Sequence, residues 1–195
     1  MKLKVAPGKI ALKKHDAKLK GKIHLPPSRT KLYEIGEVVA VGRLNSFGYR
    51  GEEKTAETYT PGDLVLFQMP TSVIAATTHE IKGVLHCFLS VLDIIGRLDS
   101  DVIDLSQFHI AGKNVLLQQV VRKTSSIIIT PDTADEAKKE NTHYSVMQIG
   151  KDVTIDIGIG QEVFPNKGRA NFITIENTEL VYADQQLIDG TLDIE

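Results

Sequence analysis

The sequence predicts an all-β chain built as two tandem β-barrels, the second shorter by a hairpin. Three observations carry this prediction. Short β-branched runs bounded by Gly, Pro or Asn dominate the chain, the pattern of half-buried strands. The first half recurs in the second at an offset near 100 residues. Only one stretch, Ala134 to Glu140 (ADEAKKE), has helical composition, and it is too short to stand alone. A length of 195 residues accommodates two domains of about 100 residues, a common domain size.

Strands are expected at Glu37-Val38-Val39-Ala40-Val41, Asp63-Leu64-Val65-Leu66-Phe67, Val153-Thr154-Ile155-Asp156-Ile157 and Asn171-Phe172-Ile173-Thr174-Ile175. The repeat is read from five separated segments. Gly8-Lys9 with Ile10-Ala11-Leu12 recurs as Gly112-Lys113 with Asn114-Val115-Leu116, an offset of 104, and Ile23-His24-Leu25-Pro26-Pro27 falls on Ile127-Ile128-Ile129-Thr130-Pro131 at the same offset. Val41-Gly42 matches Ile149-Gly150 at 108, Gly62 with Val65-Leu66-Phe67 matches Gly160 with Glu162-Val163-Phe164 near 98, and Ile94, Gly96 and Leu98 meet Ile188, Gly190 and Leu192 at 94. Such an ordered drift is the mark of duplication followed by insertions and deletions in loops.

Between offsets 108 and 98 the second copy loses ten residues, which places a solvent-facing hairpin, NSFGYRGEEKTAETYTP, in the first copy only. The expected organisation is a barrel with this hairpin over 1–100, a polar linker over 101–109, and a trimmed barrel over 110–195.

Composition narrows the function. With 42% hydrophobic residues, 25% charged and no Trp, the chain reads as a globular protein able to bury a core. No apolar run approaches the roughly 18 residues of a membrane span, and the first residues lack the apolar stretch of a signal peptide, so a cytoplasmic protein without a membrane role is expected. The net charge of −2 conceals a basic start, ten Lys/Arg against one Asp over residues 1–31, and a rest of the chain at −11. A solvated basic face is favoured over a nucleic-acid site, because no aromatic residue interrupts the Lys run before Tyr33. Cys87, the single cysteine, lies in the apolar run VLHCFLSVL and is expected to be a buried thiol. His15, His24, His79, His86, His109 and His143 show no metal-ligand spacing, and no phosphate-cradling Gly loop or nucleophile elbow occurs, so neither an enzyme nor a cofactor-binding protein is expected.

Within the first copy, Gly21-Lys22-Ile23-His24-Leu25-Pro26, then Gly36-Glu37-Val38-Val39-Ala40-Val41-Gly42, then Pro61-Gly62-Asp63-Leu64-Val65-Leu66-Phe67, and finally Leu92-Asp93-Ile94-Ile95-Gly96-Arg97-Leu98 form a series. This series resembles the GroES, or ten-kilodalton co-chaperonin, family: a loop with an apolar tripeptide, a Gly-Glu-Val-Val-Ala-Val-Gly strand, a roof hairpin, a Gly-Asp strand and an alternating closing strand. In the second copy the resemblance rests on Ser126-Ile127-Ile128-Ile129-Thr130-Pro131-Asp132-Thr133-Ala134, and the roof hairpin is missing. The resemblance implies two GroES-like barrels and a homo-oligomer or array. It also implies docking on a chaperonin ring through Ile23, His24 and Leu25 in the first copy and Ile127, Ile128 and Ile129 in the second. His24 departs from an all-apolar tripeptide, and Ser125-Ser126 stands where the family has flexible glycines.

Two readings stay open at this level. One is a co-chaperonin that caps a chaperonin and assists the folding of other proteins, a capsid protein among them, in a bacterial host. The other is a phage structural protein that decorates or cements a capsid by binding the major capsid protein in the virion. Ile127-Ile128-Ile129 also reads as a plain β-strand, since β-branched residues are good strand formers.

Overall fold

The β-branched runs become strands in the computed structural model, which describes residues 3–15, 31–43, 57–70, 78–100, 104–120, 143–166, 168–175 and 178–192. In chain order they are β1 (Lys9–Lys14), β2 (Lys31–Val41), β3 (Leu64–Pro70), β4 (Thr78–Ile81), β5 (Val84–Ser90), β6 (Ile94–Leu98), β7 (Phe108–Ile110), β8 (Asn114–Gln119), β9 (Tyr144–Ile149), β10 (Glu162–Pro165), β11 (Asn171–Ile175), β12 (Thr178–Asp184) and β13 (Ile188–Leu192). Among the described residues the only helical elements are 3-10 turns at Val91–Asp93, Leu105–Gln107 and Gln185–Leu187. The fold is all-β, as the sequence predicts, and compatible with two GroES-like units.

The strands form a seven-stranded sheet, β4-β5-β1-β2-β3-β6-β7, and a six-stranded sheet, β11-β12-β8-β9-β10-β13, with antiparallel pairing throughout. Apart from β7, the second sheet repeats the strand order of the first. The irregularities repeat as well. β1 and β2 slip by one residue at Val39, and β8 and β9 slip at Met147. β3 and β6 slip at Ile95, and β10 and β13 at Asp189. A bulge bends and re-aims its strand, so paired bulges give the two sheets the same local curvature. Hydrogen bonds correspond too: Gly62 N donates to Val38 O and Gly160 N to Val146 O, each at 2.8 Å.

One sequence match requires correction. Ile10 pairs with Val41 and Val115 with Ile149, so Ile10 corresponds to Val115, not to Asn114. The cause is a change of turn. Lys9 N bonds Ala6 O and Asn114 N bonds Ala111 O, which aligns the turns Ala6–Lys9 and Ala111–Asn114. The positive-φ glycine is third in the first turn (Gly8, φ 72) and second in the other (Gly112, φ 63). Pro7-Gly8 is the type II arrangement, and a glycine at the second position is the II′ arrangement. Aligning glycine with glycine therefore slips the register by one, which would turn every β8 side chain to the wrong face.

A second correction concerns Val153–Ile157, which is not a strand. The backbone amides of Thr154 and Ile155 donate to Oε1 of Gln185, at 2.6 and 3.3 Å, instead of to a neighbouring strand. The whole connection from Gly150 to Gln161 carries no strand, and Ile155 and Ile159 are exposed on it. In the first unit the corresponding hairpin falls largely on residues 44–56, outside the described residues, as does the helical stretch Ala134 to Glu140. Within 101–109, residues 104–109 are described; they hold a 3-10 turn and most of β7, and Phe108 is fully buried. Cys87 is half-buried, with its Sγ 3.6 Å from the Thr78 hydroxyl.

Three cores result. Ile10, Leu12, Val38, Val65, Phe67 and Leu89 fill the first unit, and Val115, Leu117, Val146, Val163 and Val181 the second. Between them lies a shared core of Ile35, Leu66, Ile95, Leu98, Phe108 and Ile110 from the first sheet with Leu116, Ile173, Ile175, Leu180 and Tyr182 from the second. Alternation explains how. On β3, Val65 and Phe67 face the first core and Leu66 the shared one; on β12, Val181 and Ala183 face the second core, and Leu180 and Tyr182 the shared one. Strands buried on both faces read as continuous apolar runs, as Leu64-Val65-Leu66-Phe67 does. The Tyr182 hydroxyl donates to Gln68 Oε1 across the junction at 2.9 Å.

Candidate docking site

Ile23, His24 and Leu25 belong to the connection from β1 to β2, and Ile127, Ile128 and Ile129 to the connection from β8 to β9. All six lie outside the described residues, so the structure supplies their stems. Both connections occupy the same place in the two sheets, between strands that pair directly. An antiparallel pair holds its strands about 5 Å apart. Each segment is therefore closed at its base.

The first stem ends with His15 N donating to Ile35 O at 3.0 Å. Lys13 pairs with Glu37 at 2.8 Å and Lys14 with Glu34 at 3.8 Å. These are partly exposed pairs, each contributing at most about 1 kcal/mol. The stem's rigidity comes instead from Ile10, Ala11 and Leu12, which are buried in the middle of the sheet. The second stem ends with Val120 N donating to His143 O at 2.9 Å. Here the surroundings differ: the His143 ring meets Phe164 edge-on at 5.7 Å, and its Nε2 lies 4.0 Å from Glu162. Sequence reading singles out neither Phe164 nor Glu162 as a docking residue; the one signal was an apolar residue, Phe164, at an alternate position of a short edge-proximal strand.

A second feature lies where the units meet. The arm re-entering at Glu57 reaches the second unit, where Glu57 Oε1 accepts from Gly112 N at 3.1 Å and Glu57 Oε2 lies 3.9 Å from Lys151 Nζ. Beside it, a cavity of about 280 Å³ is lined by Glu57, Tyr59, Gly112, Lys113, Asp152 and Asp184, among others. The Tyr59 hydroxyl is buried with no hydrogen-bond partner among the described residues. Burial first, then the negative charges of Glu57 and Asp152, push its ionisation far above the ordinary tyrosine range. Among the described residues no three His, Cys, Asp or Glu side chains gather as a metal site would require, and no helix is long and apolar enough to cross a membrane.

With this geometry in view, residues 9–98 match the Chaperonin 10 Kd subunit family. The match runs from β1 to β6 and takes in the connection that carries Ile23, His24 and Leu25. The first unit thus resembles that family in sequence, and its all-β fold is compatible with the match. No curated protein matches the chain.

Proposed function

We propose that the chain is a double co-chaperonin that arose by tandem duplication and caps a chaperonin ring through two docking segments, Ile23-His24-Leu25 and Ile127-Ile128-Ile129. One observation carries the reading: both segments bridge the same strand pair in two units that share strand order and bulge positions, and the first of these units matches the Chaperonin 10 Kd subunit family.

The mechanism needs no bond-making chemistry by this chain. Each segment is anchored at a rigid stem and gives its isoleucines or leucine to an apolar groove on the chaperonin. Full burial of such a side chain contributes about 1.5–3 kcal/mol, offset by the entropy lost when the segment is ordered, so each contact is weak and reversible. Two segments on one chain raise the effective concentration of the second once the first has docked. The test is to mix the protein with a chaperonin and ATP and measure complex formation by the wild type and by an Ile23→Ser/Ile128→Ser double variant. Binding by the wild type and loss in the variant is the expected result; no binding by the wild type sinks the reading for that chaperonin.

A second reading, a virion protein that decorates a capsid by binding the major capsid protein, is favoured by the trimmed second unit. The family match ends at residue 98, and the connection from Gly150 to Gln161 exposes Ile155 and Ile159. Stoichiometric recovery of the chain from purified virions would support it.

A further inference from the structure

We propose that the junction between the two units binds a small aliphatic diamine, which lies along a pair of adjoining cavities and ties one unit to the other. The site is separate from both docking segments.

The first cavity, of about 280 Å³, takes its walls from both units: Glu57, Tyr59, Leu92 and Ile94 from the first, and Asp152 and Asp184 from the second. Its charge is one-sided, with the carboxylates of Glu57, Asp152 and Asp184 set against the ammonium of Lys113. All three carboxylates are half-buried, where salt screens them less than on an open surface.

Tyr59 supplies a second, independent observation. It is 7% exposed, and its hydroxyl has no hydrogen-bond partner among the described residues. Burial and then the charges of Glu57 and Asp152 act on the ionisation of that hydroxyl, which places it among the cavity's carboxylates. Buried hydroxyls are ordinarily satisfied, so one left without a partner on a cavity wall points to a group that completes it. The phenol oxygen can accept a hydrogen bond while the carboxylates around it favour positive charge. A protonated amine meets both needs, whereas an anion would meet three like charges.

A point cation fits less well. Among the described residues no three His, Cys, Asp or Glu side chains gather as a metal site would require. The acceptors are spread round the wall, which suits an ammonium head with its three diverging N–H donors.

The rest of the wall is apolar. Val91 and Ile94 are buried beside the exposed Leu92. Leu92, Ile94 and Asn114 also wall a second cavity, of about 230 Å³, which holds Asp93 with the amides of Gln68 and Asn171. Because they share these residues, the two cavities lie side by side along the junction. A short hydrocarbon chain therefore crosses Leu92 and Ile94 from one acidic end to the other, and a second ammonium meets Asp93. Asp93 Oδ2 accepts from Ser90 N at 3.0 Å, and a carboxylate has further acceptor sites to offer. A molecule with one charged head would leave the second end unmatched. Glu57 Oε1 already accepts from Gly112 N across the junction at 3.1 Å, so the ligand reinforces a contact the chain makes by itself.

The probe is putrescine, with butylamine and butyrate as its one-headed and oppositely charged counterparts, each added to the full chain at constant ionic strength. Isothermal titration calorimetry is expected to show saturable putrescine binding, about tenfold or more tighter than butylamine, and no binding of butyrate. Tyr59→Phe and Asp152→Asn, which keep the side-chain size, are each expected to weaken putrescine binding about tenfold. Asp156→Asn removes an exposed carboxylate of the same connection outside the cavity and is expected to leave binding unchanged. The thermal midpoint of each variant without ligand shows that it is folded, and in the wild type that midpoint should rise with putrescine concentration. Absence of saturable binding would mean that the cavities hold solvent alone, and overturns the proposal. Equal affinity for butylamine, or equal weakening in Asp156→Asn, overturns it as well, since either would reduce the effect to net charge.

Discussion

Phe108 packs so closely on Gly96 that a Cβ there would overlap its ring and lie 2.6 Å from the His109 carbonyl oxygen. The contact seats β7 on the first sheet and places Phe108 in the core both units share. Gly96→Ala is expected to push β7 away from β6 and lower stability by about 1–3 kcal/mol, the ordinary cost of overpacking. Adding Phe108→Leu should recover only part of the loss, because the clash with the backbone carbonyl remains. Urea unfolding of the three variants checks this; an unchanged midpoint for Gly96→Ala would show that the slot is not tightly filled.

Gln148 holds the other side of the same strand. Its Nε2 donates to Phe108 O at 2.7 Å and its Oε1 accepts from Ile110 N at 3.0 Å. One side chain thus satisfies the outward backbone groups of β7 and ends the sheet there. Gln148→Ala leaves a donor and an acceptor unpaired, at about 1–3 kcal/mol for each group that stays buried. Hydrogen exchange is the direct measurement: the Ile110 amide should lose protection while Val115, inside β8, keeps its own. Equal protection at Ile110 in variant and wild type would mean that another group replaces the glutamine.

How much of this was legible in the sequence depends on what each residue needs. The offsets of 98 and 94, read from Gly62 with Gly160 and Gly96 with Gly190, coincide with the paired bulges, and both Gly62 and Gly160 take a positive φ that favours glycine and so leaves a trace. The match of Val65-Leu66-Phe67 with Glu162-Val163-Phe164 is one residue out, since Leu66 pairs with Gly96 and Phe164 with Gly190. At the start of β8 the glycines Gly8 and Gly112 are 104 residues apart whereas the paired strands are offset by 105, since glycine serves either central position of a turn and does not report which. Val153–Ile157 has strand composition, but its amides bond the Gln185 side chain, a contact from 30 residues away that no local pattern encodes. β7 is three residues long inside a polar stretch, and only its distant partner β6 makes it a strand. For the docking segments, sequence identified candidates by resemblance, and the structure adds that the two connections are topologically equivalent.

Acid should act on the surface pair beside β7. His109 Nε2 lies 2.7 Å from Asp99 Oδ2, and the hydrogen bond from His109 holds the Asp99 carboxyl below the usual range, against the opposing effect of desolvation and with lesser help from the charges of His109 and Arg97. A folded value below the unfolded one means that the contribution is present above the unfolded value, about 3.9, and is lost as pH falls through the folded value. Asp99→Asn is expected to lower the thermal midpoint modestly at pH 6, and the gap from wild type should narrow as pH falls below about 3.9 and close at the pH where the folded carboxyl too is protonated. A gap that persists at that pH would assign the effect to packing and not to charge.

Alkali should act on Tyr59. Its hydroxyl is buried at the junction with no partner among the described residues, and burial, reinforced by Glu57 and Asp152, raises its ionisation far above the ordinary value. The folded state keeps the proton while the unfolded chain releases it near pH 10, so the stability tied to the neutral hydroxyl is full below that pH and falls as pH rises beyond it. Tyr59→Phe removes the titrating group and the unsatisfied oxygen together. At neutral pH the variant is expected to match the wild type or exceed it by up to about 1 kcal/mol, and above pH 10 its advantage should widen steadily. Urea unfolding from pH 7 to 11 measures both parts; a variant that loses stability at neutral pH would show that the hydroxyl does have a partner in the junction.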